Sequence, residues 1–185
     1  MRPPGYERGP IPPGVLGPAV APPAPPGAGR WLLASWGRRA LAGLLDLVVV
    51  AALAVGIVAL FGAVFSAGFL GGDTAGVISV VVGLLLSLVA VVCAAALYAP
   101  TVMAATNGRT LGKAVCGIRV VRTSGSRMGF WWSVLREVVF KGLVLLVLAS
   151  VTFGLAILAD LLWPLWDGEQ RALHDFPCQT RVVRG

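Results

Sequence analysis

A chain of 185 residues that is 57% hydrophobic and 12% charged carries about half the charge of an ordinary water-soluble domain. Its formal net charge of +7 sits in the tails and one loop. There is no helix-turn-helix, zinc-finger spacing or aromatic-basic platform, so a nucleic-acid partner is excluded and anionic lipid headgroups account for the charge. Between Arg39 and Arg109 there is no Lys or Arg, and the only acids are Asp46 and Asp73, so lipid is the simplest solvent for that stretch.

Residues 1–30 are rich in Pro, Gly and Ala, with Pro3, Pro4, Pro12, Pro13, Pro22, Pro23, Pro25 and Pro26 among them. Such a tail supports neither a ladder nor a helix and is expected to be a disordered tether of polyproline II character. It lacks the basic start, apolar core and cleavage site of a secretory signal. The remainder, 31–185, reads as one transmembrane domain.

The first apolar run extends from Leu41 to about Phe65, after Trp31, Trp36, Arg38 and Arg39, an interfacial combination. It exceeds the ~20 residues that a helix needs to span the hydrocarbon. Ala52 and Gly56, then Ala59 and Ala63, recur at four-residue spacing and would let another helix approach. Ser66 to Gly76 is a Gly-rich loop. The second run, Val77 to Ala99, is again long enough to span, and Pro100 is expected to close it.

From Thr101 to Gly129 the chain turns basic, with Arg109, Lys113, Arg119, Arg122 and Arg127. That bias puts this loop and the N-terminus in the cytosol of a multi-pass plasma-membrane protein, with the Gly-rich loop outside. Ile118-Arg-Val-Val-Arg122 and Thr180-Arg-Val-Val-Arg184 both read as short strands. They can pair as a small cytosolic sheet only if they share one side of the membrane.

Phe130 to Lys141 carries Arg136, Glu137 and Lys141 among apolar and aromatic residues, as an interfacial helix does. Gly142 to Trp166 is then apolar apart from Ser150, Thr152 and Asp160. As one span it sends Arg171, Arg181 and Arg184 outside, against the charge bias. As a hairpin broken near Thr152-Phe153-Gly154 it returns the C-terminus to the cytosol, and this is the favoured reading. The expected architecture is an all-α transmembrane helical bundle of two full spans plus this broken or hairpin region.

Two acids stand inside apolar runs. Asp46 lies seven residues, about two turns, from Arg39. Arg39 can snorkel to headgroups, whereas Asp46 must face the bundle interior, pair with a cation or hold a proton. Asp160 follows the same logic. Either could bind a proton or monovalent cation during transport, or fix helix packing. The one histidine, His174, lies in a terminal loop with Asp175, where loop stabilisation is the expected role. No metal or other cofactor is expected from this arrangement. Asn107-Gly-Arg-Thr-Leu-Gly-Lys113 resembles a phosphate cradle, but Gly108 and Gly112 are separated by three residues and Ala114 follows Lys113, so nucleotide binding is rejected. No enzyme motif is present. The three cysteines, Cys93, Cys116 and Cys178, lack disulfide or zinc spacing and read as packing residues.

Arg39 in Gly-Arg-Arg-Ala-Leu-Ala-Gly-Leu-Leu-Asp, Asp46 at the end of that string, and Asp175 in Arg-Ala-Leu-His-Asp together resemble the RDD family of small bacterial membrane proteins. That family is named for an arginine at the start of the first helix, an aspartate within it and a second aspartate further on. Asn-Gly-Arg-Thr-Leu-Gly-Lys, the following Gly-Ile-Arg-Val-Val and the closing Thr-Arg-Val-Val resemble it too, over roughly residues 31–184. After the second aspartate the family usually runs through basic and small residues to Gly-Thr; here the chain reads Phe176-Pro-Cys-Gln-Thr180. Some members are described as cation/proton antiporters. The resemblance therefore implies that Asp46 is the ion or proton site, with Arg39 and Asp175 organising its cytosolic entrance. So few helices would act as a homo-oligomer. The alternative is a non-transporting subunit or scaffold that packs against a partner protein.

Overall fold

The computed structural model describes residues 32–66, 68 and 74–185. The Pro-rich tail, Trp31 and most of the Gly-rich connection, including Asp73, lie outside the described residues.

Two long helices dominate. Helix α1 runs Trp36–Ser66 and α2 runs Thr74–Thr106, both long and apolar enough to cross a membrane. Helix α1 begins five residues before its apolar run, so Arg38 and Arg39 are helical. Helix α2 does not stop at Pro100 but continues six residues beyond it. Proline removes one ladder donor; here the Thr101 hydroxyl turns back onto the carbonyls of Leu97 (2.7 Å) and Tyr98 (3.1 Å). Pro100 itself is buried, so packing holds the helix through the position where local propensity would end it.

After α2 the chain turns at Asn107 and Gly108, both at positive φ. The turn leads into a single helical turn, α3 (Leu111–Val115), and strand β1 (Ile118–Arg122). Gly108 is required twice over. Its φ is +96°, and a Cβ there would stand 2.0 Å from the Val120 carbonyl oxygen.

Next comes a continuous helix. Helix α4 (Phe130–Val134) passes into a π-wound stretch, Leu135–Val144, and on into α5 (Leu145–Val151). The expected interfacial helix is therefore the start of the hairpin's rising arm and not a separate element. The chain reverses at Phe153 (φ 50°) and Gly154 (φ 87°) and returns as α6 (Leu155–Leu162). From Lys141 to Val151 the rising arm covers about 15 Å at 1.5 Å per residue, half of the ~30 Å hydrocarbon core. A reversal at that depth favours local pairing of its backbone, and several of its groups are paired. Gly154 N–H donates to Ala149 O at 2.8 Å, and Leu155 N–H to Thr152 O at 3.1 Å. The Thr152 hydroxyl donates to Leu148 O and accepts from Ala156 N–H. Phe153, at the tip, is 98% exposed.

The C-terminal strand β2 (Thr180–Arg184) pairs antiparallel with β1, Val120 opposite Val182. Its other edge takes the segment before α1: Ala34 N–H donates to Val182 O (3.0 Å) and Arg184 N–H to Leu32 O (2.8 Å). One uninterrupted span after Phe130 would hold the two strands a bilayer apart, so this pairing requires the hairpin. The buried apolar cluster lies here, at the polar end of the bundle: Ala34, Ala42, Met103, Ile118, Val120, Met128 and Val182. The most apolar windows of α1 and α2 are 0% and 11% buried. The fold is thus a packed polar head carrying two largely bare apolar helices.

A buried charge cluster and a capped carboxylate

Asp46 sits ten residues into α1, where its side chain meets the turn that precedes α3. Tyr98 Oη donates to its Oδ1 (2.9 Å), Gly112 N–H donates to Oδ1 (2.8 Å) and Thr110 Oγ1 donates to Oδ2 (2.5 Å). The directions are fixed by the neighbours. Thr110 Oγ1 already accepts from Lys113 N–H, and Tyr98 Oη from Leu111 N–H, so each hydroxyl has its single proton left for Asp46. Gly112 must be glycine for this approach, since a Cβ would stand 2.2 Å from Ala42 O and 3.0 Å from the Asp46 carboxyl carbon. The stretch that resembles a phosphate cradle therefore cradles a carboxylate of the same chain. Asp46 is compensated by neutral donors and not by an ion pair.

Asp175 lies in a 3-10 turn, Leu173–Asp175, and its side chain is fully buried. Arg136, 3% exposed and carried by the π-wound stretch, donates to Asp175 Oδ1 from Nη2 (2.7 Å) and Nε (3.0 Å). Thr180 Oγ1 adds a third bond to the same oxygen at 3.0 Å. Oδ2 takes Arg39 Nη1 (3.2 Å) and the Ala172 N–H (3.1 Å). Burial alone would push the Asp175 carboxyl up, but the Arg136 and Arg39 guanidiniums outweigh it and hold it well below the usual carboxylate range.

The expectation that Arg39 snorkels to headgroups is overturned. Its guanidinium is 12% exposed and turns inward to Asp175, with longer bonds from Nε to Ala34 O (3.4 Å) and from Nη2 to Val182 O (3.5 Å). A buried carboxylate in reach outcompetes a distant headgroup. The arginine and two aspartates do not converge on one site. Arg39 pairs with Asp175, and Asp46 stands apart with its own donors.

Arg136 also pairs with Glu137. Glu137 in turn binds Lys113 (3.3 Å) and the more exposed Lys141 (3.4 Å). Burial lowers the Lys113 ammonium and the Glu137 charge opposes that shift. Arg136 and Glu137, expected at the membrane interface, are instead the centre of the cluster. They were missed as site residues because a mixed polar and apolar helix has the same pattern whether it lies on lipid or on protein. The signal available was charge accounting: Asp160 and Asp175 stand in apolar surroundings, and buried acids need cations.

Asp160, buried on α6, faces His174. The His174 backbone N–H donates to Asp160 Oδ1 (3.0 Å), and Nδ1 lies 2.9 Å from both carboxylate oxygens. The other ring nitrogen, Nε2, is 3.0 Å from Arg136 Nη2. A guanidinium can only donate, so Nε2 is the acceptor and the ring proton belongs on Nδ1, toward Asp160. His174 and Asp175, although adjacent, thus grip the same arginine. Asp160 also borders an open crevice of about 290 Å³ with Lys141, Leu145, Leu146, Ile157 and Leu161.

Trp36 Nε1 donates to Leu161 O, and Trp132 Nε1 to Cys178 O, tying the hairpin to α1 and to the terminal turn. Cys178 is buried beside this cluster and burial pushes its thiol up to about 11, which makes it a packing residue at neutral pH. Among the described residues, no three His, Cys, Asp or Glu side chains group as metal ligands would.

The RDD family model matches residues 33–179, which takes in Arg39, Asp46, Asp160 and Asp175 and ends one residue before Thr180. A curated relative, the uncharacterized protein YckC of Bacillus subtilis (strain 168), is 36% identical over 77 residues. That match covers 42% of this chain and 48% of the relative, so it spans about half of that protein's length. No solved structure matches. The match to the family model extends from the segment before α1 to the turn before β2, and with it the chain belongs to the RDD family of small bacterial membrane proteins.

Proposed function

We propose that this membrane protein exchanges a monovalent cation for a proton, working as a homo-oligomer with its polar head and both termini in the cytosol, and that Asp160 is the carboxylate that carries the exchange. One observation carries the reading. Asp160 lies on the returning arm of a half-membrane hairpin, with an imidazole on one side and an open crevice on the other. A proton and a cation would compete there for one negative charge, which is the minimum that exchange requires. Asp46, the carrier implied by family resemblance, is disfavoured because three donors already occupy it. The Arg-rich loop and C-terminus support the cytosolic placement through the positive-inside bias.

The test is proton flux in proteoliposomes containing the purified full chain and a pH-sensitive dye, started by a sodium or potassium gradient. Flux lost in Asp160→Asn and retained in Asp46→Asn supports the reading. Wild-type flux in Asp160→Asn removes Asp160 from it.

A second reading, a non-transporting scaffold, is favoured by the bare faces of α1 and α2, whose apolar windows are 0% and 11% buried. Absence of flux from the wild-type protein, together with co-purification of a fixed membrane partner, would establish that reading instead.

A further inference from the structure

We infer that His174 is a proton-operated joint, whose ring binds both arms of the hairpin when neutral and the returning arm alone when protonated, leaving Asp175 to hold the terminal turn to the rising arm. The inference uses the His174–Asp160 pair but does not depend on transport.

The geometry assigns the joint. The imidazole is clamped between Asp160 of α6, through Nδ1, and Arg136 of the π-wound stretch, through Nε2. The other charges facing it are Glu137, beside Arg136, and Asp175, whose Oδ1 is 3.7 Å from Nε2. Lys113 and Lys141 act through Glu137, and Arg39 through Asp175. With a bare Nε2, the ring accepts from Arg136 and donates to Asp160, so one side chain holds the two arms to the turn that precedes β2.

A proton arriving from water binds the Nε2 lone pair and forms an N–H bond there. That lone pair then no longer accepts the Arg136 hydrogen bond, and two donors with like charge face each other at hydrogen-bond distance. The contact to Asp160 becomes a full ion pair. Arg136 keeps Asp175 and Glu137 as partners, so the guanidinium is not stranded. The proton therefore transfers His174 from shared attachment to attachment on α6 alone. His174 edges an open crevice of about 260 Å³ with Phe140, Leu148, Leu173 and Pro177.

His174 is the only histidine in the chain, so nitrogen NMR on the full chain with [15N]histidine, in lipid nanodiscs, reads this one ring. At pH 7.5 the expected state is the Nδ1–H tautomer, with Nε2 an unprotonated acceptor. Acidification should protonate Nε2, and amide exchange across residues 172–180, corrected for intrinsic rate, should rise about tenfold over the same pH range. A factor of ten is what one pH unit of differential proton binding supplies. His174→Asn, which keeps a donor toward Asp160 but cannot titrate, should abolish that rise. An Nε2–H tautomer at pH 7.5 would overturn the inference, as would protonation without faster exchange or an unchanged rise in His174→Asn. If that variant does not fold, the wild-type tautomer and exchange profile decide alone. Proton flux enters none of these readouts, so a failed transport assay leaves the inference standing and a failed NMR test leaves transport open.

Discussion

The chain holds the acids within its fold in two different ways. Asp46 rests against two hydroxyls and one backbone N–H, all neutral, within the angle between α1 and the turn before α3. The Asp175 and Glu137 side chains, more deeply buried, are held by four cations: Arg39, Arg136, Lys113 and Lys141. Oriented neutral donors satisfy a carboxylate one bond at a time, so loss of one leaves the others in place. A network of full charges is balanced as a whole, and removing one member strands the rest. The Asp46 region should therefore fail gradually and the Arg136 region all at once.

The sharpest way to break the comparison is Arg136→Met. The substitution nearly keeps length and removes the charge that Asp175, Glu137 and His174 share. Breaking a buried ion-pair network by deleting one partner costs about 3–5 kcal/mol, a large share of the ~5–15 kcal/mol that keeps a domain folded. The expected result in detergent is loss of the monodisperse peak, or a large drop in thermal midpoint, partly reversed by the added change Glu137→Gln. A well-folded single variant would show that the charges are not coupled.

Next in size is Gly112→Ala. The new methyl would stand 2.2 Å from the Ala42 carbonyl oxygen, a backbone atom with no flexible end to yield. Overpacking of this kind costs about 1–3 kcal/mol. Helix α1 should separate from the turn, seen as faster amide exchange at residues 110–113 while 173–180 stay protected. Equal loosening of both regions would mean that they form one unit.

How far the sequence reached follows the same division. The two long helices were legible because lipid leaves apolar runs nothing to hide behind, and the strand pairing because Ile118–Arg122 and Thr180–Arg184 alternate in the same way. The hairpin was legible from charge bias plus the Thr-Phe-Gly break. The partners of the acids were not legible. Arg136 and Glu137 fall on a stretch whose pattern fits a membrane surface, and only the terminal turn, more than thirty residues later, makes it an interior. Pro100 reads as a stop because local rules cannot know that Thr101 and tertiary packing will carry α2 onward. Asn107–Lys113 lacks the spacing of a phosphate cradle, but nothing local says that its donors turn to a carboxylate sixty-odd residues earlier.

Asp46→Asn should be milder than either change above. The Asn carbonyl oxygen can keep the bonds from Tyr98 and Gly112, which share Oδ1. Its amide would face the Thr110 hydroxyl, which has a free lone pair but must then turn its proton elsewhere. One bond to a charged acceptor is lost, worth about 1.5–3 kcal/mol at most, and the new amide contact offsets part of it. The variant is expected to fold with a modestly lower thermal midpoint. A collapse as deep as that of Arg136→Met would place Asp46 inside the charge network.

The smallest expected effect concerns the junction between the charge cluster and β2. Gln179 adopts φ 48°, a left-handed conformation that costs a non-glycine residue about 1–2 kcal/mol. The following residue is Thr180, whose hydroxyl donates to Asp175. Family resemblance puts a Gly-Thr pair at this point, and the strained backbone supplies a physical reason: glycine enters this region without a Cβ penalty. Gln179→Gly should relieve the strain but add freedom to the unfolded chain, a loss of roughly 0.5–1 kcal/mol. The net expectation is a gain of about 0–1.5 kcal/mol, read as an unchanged or slightly raised thermal midpoint. Clear destabilisation would mean that the Gln179 side chain is itself part of what positions Thr180 against Asp175, and that the cluster reaches one residue further than its charges.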